Sequence, residues 1–458
     1  MARNEKSSSK IFETMAVPKL FWHCVLPGSI SMIASSVYIV IDGMFVGHYM
    51  GHESLAAINL MWPLLMICFS LSDMIATGSA VQISIFLGKH NRLKACRTFT
   101  FAVRLIMSLG VAAGIAGVFG TESYLRLLGA NELTTALGTT YFRIYCVFAP
   151  LVTLYFAVDS YLRICGRQQF SMWNNVFVSV FNLVLDYVFI ALLRCDVWAA
   201  SFTTCVSLST GTVVAMWPFL RGRMEICFTS GLIPWRQFRR MIFNGSSQFF
   251  NSVAMALLSL MINSLLLKLG GTAAVAATAA VMYIDSVVVR LLFGMNAACQ
   301  PAMSYCYGAL LSDRVLAVLR YLLAASASVS GFAFIVMLTA GPYLIPFYAQ
   351  DGDDEFIRMG IDCMRLFALS YLGGWVEICL SCFIVALESP LRSFIVTTLR
   401  TIVFPVVSLL VLVPALRLEG IWLSPGLTGI LSAAASILIA RQVWKLKIGS
   451  PGTTFSSF

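Results

Sequence analysis

The chain is 458 residues long, 59% hydrophobic and only 11% charged, with a mean hydropathy of +0.85. This excludes a soluble globular enzyme of this size, and the scarcity of short alternating segments excludes a membrane β-barrel. What remains is an all-α polytopic membrane protein, because each helical crossing needs about 20 apolar residues. The formal net charge of +10 might suit a nucleic acid, but it sits in the joints between apolar runs. That assigns it to membrane topology, and no nucleic-acid partner is expected.

The start, Met1 to Lys10, is basic and polar, and the first apolar run continues as a full crossing, so no cleavable signal peptide is expected. Hydropathy predicts twelve spans, at 20–46, 55–86, 99–120, 139–161, 168–192, 197–219, 238–266, 273–300, 316–340, 363–387, 393–415 and 419–443. The second is too long for one straight crossing and must tilt or extend beyond the bilayer. The joints alternate in charge. One set holds Arg3, Lys6, Lys10 and Lys19, then Lys89, Arg92, Lys94 and Arg97, then Arg163 and Arg167. It continues with Arg221, Arg223, Arg236, Arg239 and Arg240, with Arg314 and Arg320, with Arg392, and with Arg441, Lys445 and Lys447. The other set holds Arg126, Arg194, Lys268, Arg358 and Arg417 with the acidic run 351–355. Positive charge stays inside, so a multi-pass protein of the plasma or inner membrane with both termini cytoplasmic is expected, its basic joints able to meet anionic lipid.

The organisation follows. A tail at 1–19 leads to a first lobe at 20–219. A basic joint at 220–237 holds Pro234, and a second lobe at 238–443 and a tail at 444–458 complete the chain. The lobes resemble each other at an offset of about 220. Gly51 matches Gly271, Ala56 and Ala57 match Ala276 and Ala277, Ser84 matches Ser304, and Gly88 matches Gly308. Both repeats begin inside, so they are parallel repeats, and transporters built this way place the substrate site between the halves.

Four sets of residues resemble the MATE (multidrug and toxic compound extrusion) family, in its MepA-like and DinF-like branch. They are Asp42-Gly-Met-Phe-Val-Gly47 with Gly51, Leu55-Ala56-Ala57 and Pro63; Leu162-Arg163 with Gly166; Asn182-x-x-x-Asp186-Tyr187; and Gly294 with Gln300-Pro301 and Tyr305-x-x-Gly308. The resemblance implies two six-helix lobes around a central cavity. It also implies export of organic cations and other amphipathic drugs, driven by inward H⁺ or Na⁺. The segment opening the sixth span, Ala200 to Ser207, departs from the family pattern, and the seventh span lacks the carboxylate that some branches place there.

The residues themselves mark a site in the first lobe. An ionisable group deep in a membrane costs about 2.5–3.5 kcal/mol on insertion scales and is kept for pairing or for function. Asp42 and Asp186 lie at similar depth in two outward-running spans, Asn182 is one turn below Asp186 on the same face, and Tyr145 and Thr204 reach that level from spans four and six. Two carboxylates sharing an apolar site cannot both ionise cheaply, so the group can take a proton on one side and release it on the other. The same oxygens suit Na⁺. In the second lobe, Glu377 and Asp285 lie at mid-depth, and Arg290 is an available partner for Glu377. Asn244, Gln248 and Asn251 share one face of the seventh span. With Gln82, Met295, Asn296 and Gln300 they are candidate substrate contacts, since such sites are apolar with a few polar groups. Asp159 and Arg163, four apart at the cytoplasmic edge, are expected to form an ion pair.

Other signals are bland. His48, His52 and Glu53 lie in an outer joint rather than on a helix face, so no metal beyond a coupling Na⁺ is expected. Thirteen cysteines are scattered through apolar runs, and the single C-x-x-C, Cys379 to Cys382, reads as helix packing. The sequon at Asn244 falls at the cytoplasmic start of a span and should be silent. With no Walker loop and no histidine deep beside an acid, neither ATP drive nor an enzyme is expected, and no cofactor. The expectation is therefore a monomeric secondary antiporter coupled to H⁺ or Na⁺, exporting amphipathic, cationic compounds. The alternative is a lipid or lipid-linked saccharide flippase of related architecture, but the intramembrane arginines (Arg104, Arg143, Arg290, Arg365, Arg400) are too dispersed to make a basic cavity.

Overall fold

The computed structural model describes residues 9–127, 132–348 and 354–447. The side chains of Gly43, Met44, Gly47, His48, Gly51, His52, Glu53, Leu55, Ala56 and Gln248 lie outside the described residues, as do Arg3, Lys6 and the acidic run. All twelve expected spans are helices long and apolar enough to cross a membrane. They are α1 Val17–Tyr49, α2 Gly51–Gly88, α3 Arg92–Leu127, α4 Glu132–Ile164, α5 Gln168–Leu192 and α6 Trp198–Leu220. After the joint come α7 Trp235–Gly271 and α8 Ala273–Gly308, α9 Ser312–Thr339, α10 Phe356–Ala386 and α11 Pro390–Leu416, and α12 Leu418–Lys447. The hydropathy windows miss their ends because the polar outermost turns remain helical.

The chain divides into two compact units, Met1–Phe249 with Ser304–Leu310, and Phe250–Met303 with Leu311–Phe458. The division falls inside α7. In the first unit the pairs α3–α4, α2–α4, α4–α6 and α1–α5 pack most extensively. Helices in lipid gain little from apolar burial, so close packing depends on small residues. Gly110, Gly114 and Gly117 supply them on one face of α3: a Cβ at Gly114 would stand 2.4 Å from the Cys146 carbonyl oxygen on α4, and one at Gly110 2.7 Å from Pro150 Cα. The α5 helix is patterned inside out. Trp173, Phe177, Val180 and Val184 are exposed, whereas Ser171, Asn175, Ser179, Asn182 and Asp186 are buried. That is how a helix reads when its outer face meets hydrocarbon. In the second unit α12 packs on α10 and α11, around a core that includes Phe367, Leu409 and Trp422.

The duplication is written in the backbone as well as in the sequence. His90 and Leu310, each two residues beyond a glycine that ends its helix, have φ of 55° and 60°. Gly166 and Glu388, at the ends of α4 and α10, have φ of 71° and 50°, and Arg194 and Arg417, after α5 and α11, both have φ of 50°. The left-handed region is rare for residues with a Cβ, so three pairs at near-constant spacing reflect one fold used twice. The helix ends also meet. A Cβ on Gly88 would stand 2.1 Å from the Tyr305 carbonyl oxygen, and one on Gly308 2.3 Å from that of Ile85. Each glycine thus packs on the carbonyl three residues before the other, and only a residue without a side chain fits either place.

Candidate functional site

The α1–α5 contact carries Asp42 and Asp186. They are within hydrogen-bonding reach of one another when one carries a proton. Asp186 is fully buried and Asn182, one turn below it, is 1% exposed. The Asp186 Oδ1 accepts a 2.5 Å hydrogen bond from the Thr203 hydroxyl on α6. Immediately after Asp186 the helix widens into a π-helical segment, Tyr187–Leu192, a distortion common at functional sites. From α4, Tyr141 and Tyr145 pack with tilted rings 5.3 Å apart between centroids, and both lie within electrostatic reach of Asp42. Tyr38, one turn before Asp42 on the same face, approaches Tyr141 as well. Around these groups the unit is apolar: Val46, Met61, Phe142, Val178, Ile190 and Ala200 belong to one buried cluster with the two tyrosines.

Four polar atoms of this group, Asp42 Oδ1, Asp186 Oδ2 and both amide atoms of Asn182, are buried with no assigned hydrogen bond among the described residues. Neither carboxylate has a cationic partner among the described residues. Buried polar groups are almost always satisfied, so a cluster of oxygens in this condition is suited to take a proton or a hard cation. A fully satisfied network on the same helices provides the contrast. Asp159 pairs with Arg163 at 2.5 Å and accepts from Ser171 and from Asn175 Nδ2, the latter at 2.8 Å. Asn175 in turn accepts from the Tyr155 hydroxyl. This network ties α4 to α5 and fixes the helix that presents Asn182 and Asp186.

Of the first-lobe candidates, Asp42, Asn182, Asp186 and Tyr145 come together. The Thr204 hydroxyl instead donates to Ala200 of its own helix at 3.0 Å, and Thr203 makes the contact with Asp186. In the structure Thr203 shares a helical face with Ala199, Ala200 and Ser207, all buried, whereas Thr204 is turned about 100° away.

The other candidates are placed as follows. In the first unit Gln82 is buried and its Nε2 donates to the Gln237 carbonyl at 3.1 Å. Asn244 is fully buried, with Gly245 against the Met74 backbone, so the sequon is covered. In the second unit Glu377 is paired with Arg400 at 3.0 Å, rather than with Arg290. Arg400 lies in a π-helical segment of α11, Leu399–Val403, so both fifth helices are widened, at different heights. Asp285 accepts from the Tyr371 hydroxyl at 2.5 Å, Asn251 accepts from Thr401 at 3.1 Å, and Asn296 donates to Leu292. Met295 is buried and Gln300 half-buried. Of the two mid-depth carboxylates of this unit, Glu377 thus lies beside a guanidinium, although its Oε2 lacks a well-aligned hydrogen bond, and Asp285 accepts from a phenol.

Comparison with known proteins came to the same architecture. The MatE family model matches twice, at residues 27–188 and 248–410, so the halves fit one pattern at a spacing close to that of the glycine pairs. The multidrug export protein MepA of Staphylococcus saprophyticus is 24% identical over 344 residues, covering 74% of this chain and 75% of the relative. An outward-facing multidrug-resistance transporter of the MATE family superposes with a TM-score of 0.89 at 21% identity, covering 96% of this chain and 98% of that one. A transporter of the MOP superfamily from Pyrococcus furiosus gives the same TM-score, identity and coverage. At such identities the structural likeness concerns the fold.

Proposed function

The chain belongs to the MatE family, and on that basis we propose that it is a secondary antiporter that exports amphipathic, cationic compounds in exchange for H⁺ or Na⁺. The observation that carries this reading is the Asp42–Asp186 pair: two carboxylates in an apolar core, without a cation beside them and with orphaned oxygens. The relatives named multidrug export proteins support the class of cargo. In this reading the coupling ion enters between Asp42 and Asp186, with the Asn182 amide oxygen as a further ligand. The Thr203 hydroxyl, bonded to Asp186, holds that carboxylate in place for the ion. Binding neutralises a charge that is expensive to keep in hydrocarbon, which frees α1 to shift against α5. The membrane potential contributes about 2.3 kcal/mol per inward charge per 100 mV. The second unit contributes substrate contacts from Asn251, Asp285, Met295, Asn296 and Gln300. Glu377 serves less directly there, since Arg400 neutralises it. The protein acts as a monomer, with both termini cytoplasmic.

The test is ethidium efflux from energised vesicles, wild type beside Asp42→Asn at equal membrane levels, with pH and Na⁺ gradients imposed separately. Efflux driven by one gradient and lost in the variant fixes the class and the ion. Wild-type efflux in the variant refutes the role of the pair. Absence of efflux in both, from folded protein, transfers the argument to the flippase alternative and a lipid-scrambling assay.

A further inference from the structure

The joint between α6 and α7 does not hang free. It runs along the first turns of α3. Arg92 Nε donates to the Glu225 carbonyl at 2.6 Å, the Cys227 amide to Cys96 Sγ at 3.2 Å and the Thr229 amide to Thr100 Oγ1 at 3.0 Å. The partners are spaced four apart on the helix and two apart on the joint. Where the joint enters α7, Gln237 Nε2 donates to Thr98 Oγ1 at 2.6 Å. In the middle of this rail the sulfurs of Cys96 and Cys227 stand 3.5 Å apart.

We propose that Cys96 and Cys227 are a modification site: a dithiol that a peroxide converts to a disulfide, clasping the joint onto α3. Cys227 is half-buried and Cys96 is 3% exposed, so the peroxide meets Cys227 first. The Cys227 thiol attacks the peroxide, the O–O bond breaks, water leaves and the sulfur becomes a sulfenic acid. The Cys96 thiol then attacks that sulfur, the S–O bond breaks and a second water leaves. Two thiols are oxidised by two electrons and one hydrogen peroxide is reduced to two waters. The sulfurs need to close to about 2.05 Å, a short movement for a joint held by backbone contacts on either side. Cys165, within electrostatic reach of Cys96, is a poorer candidate. Cys165 is 1% exposed, and burial, opposed in part by the Ile226 and Glu225 amides, pushes it up to about 12. In a reducing cytoplasm the clasp is open and closes under oxidation. The joint leads directly into α7, so closing it restrains the start of that helix. The effect on export rests on the transporter reading above, whereas the clasp itself does not.

The experiment treats the full-length protein in nanodiscs with hydrogen peroxide, maps cross-linked peptides by mass spectrometry and follows tryptic cleavage after Arg221 and Arg223. The expected result is one Cys96–Cys227 cross-link, loss of the joint's cleavage, slower efflux in proteoliposomes and reversal by dithiothreitol. Cys227→Ser and Cys96→Ser should each remove the response while keeping reduced-state efflux. Cross-links to other cysteines, oxidation of Cys227 to sulfinic or sulfonic acid without pairing, or unchanged cleavage after complete cross-linking would overturn the clasp. Unchanged efflux in fully cross-linked protein would overturn its regulatory role. A reduced protein that exports nothing counts against the transporter reading, and the cleavage assay still decides the clasp.

Discussion

Thr203→Val and Thr204→Val are isosteric changes at neighbouring positions, and the structure assigns them different outcomes. The Thr203 hydroxyl donates to the buried Asp186 carboxylate at 2.5 Å. A hydrogen bond to a charged group contributes about 1.5–3 kcal/mol, and among the described residues only a protonated Asp42 could offer Asp186 another donor. Replacing the hydroxyl by a methyl leaves a fully buried acceptor facing carbon. At about 1.4 kcal/mol per tenfold, the apparent affinity for the coupling ion should change by roughly 10- to 100-fold. Thr204 bonds only back to the Ala200 carbonyl of its own turn, a bond that adds little to a helix, so its valine variant should stay within about twofold of wild type, a change of roughly 0.4 kcal/mol. The assay is efflux rate against imposed H⁺ or Na⁺ concentration in proteoliposomes, with both variants at matched incorporation. A Thr204→Val effect equal to or larger than that of Thr203→Val would refute the assignment and restore the original reading of α6.

Further outcomes follow from the packing and the second unit. Glu377→Gln leaves Arg400, 26% exposed beside it, without its counter-charge. Breaking such a pair costs about 3–5 kcal/mol and removing both partners much less, so thermal unfolding in detergent should show a large loss for the single variant and recovery in Glu377→Gln/Arg400→Gln. Gly114→Ala places a Cβ 2.4 Å from a carbonyl oxygen, whereas a Cβ at Gly120 on the same helix meets nothing within 4 Å. The first should destabilise by about 1–3 kcal/mol and the second should be neutral or gain up to about 1 kcal/mol, read as melting temperatures. Arg163→Gln strips the counter-ion from Asp159 and should lower both stability and efflux by loosening α5, with Asp159→Asn/Arg163→Gln restoring part of each.

The twelve crossings were legible because lipid imposes a length and a composition on each. The duplication was legible from a handful of glycines because those positions tolerate no side chain. Asp42, Asn182 and Asp186 stood out because a membrane segment keeps acids and amides only for a reason. What escaped was angular. Choosing between Thr203 and Thr204 needs the phase of α6, and pairing Glu377 with Arg400 rather than Arg290 needs to know which helices touch. Depth along a span is one-dimensional and can be counted from the sequence, but partnership across a bundle depends on rotations of each helix that hydropathy does not record. The cysteines divide in the same way: the C-x-x-C of Cys379 and Cys382 reads as helix packing, while Cys96 and Cys227, 131 residues apart, have no sequence signature.

The reciprocal contact of Gly88 with the Tyr305 carbonyl and of Gly308 with that of Ile85 has the form of an isologous interface, in which residue i touches j and j touches i. It is what two copies of a six-helix protein would make on pairing about a two-fold axis. In a homodimer every mutation is entered twice, so an acid gained on one side is gained on the other. Once the copies share a single polypeptide, that obligation lapses. One half can keep two uncompensated carboxylates while the other sets a guanidinium against its own, even though the same pair of glycines is retained in both repeats.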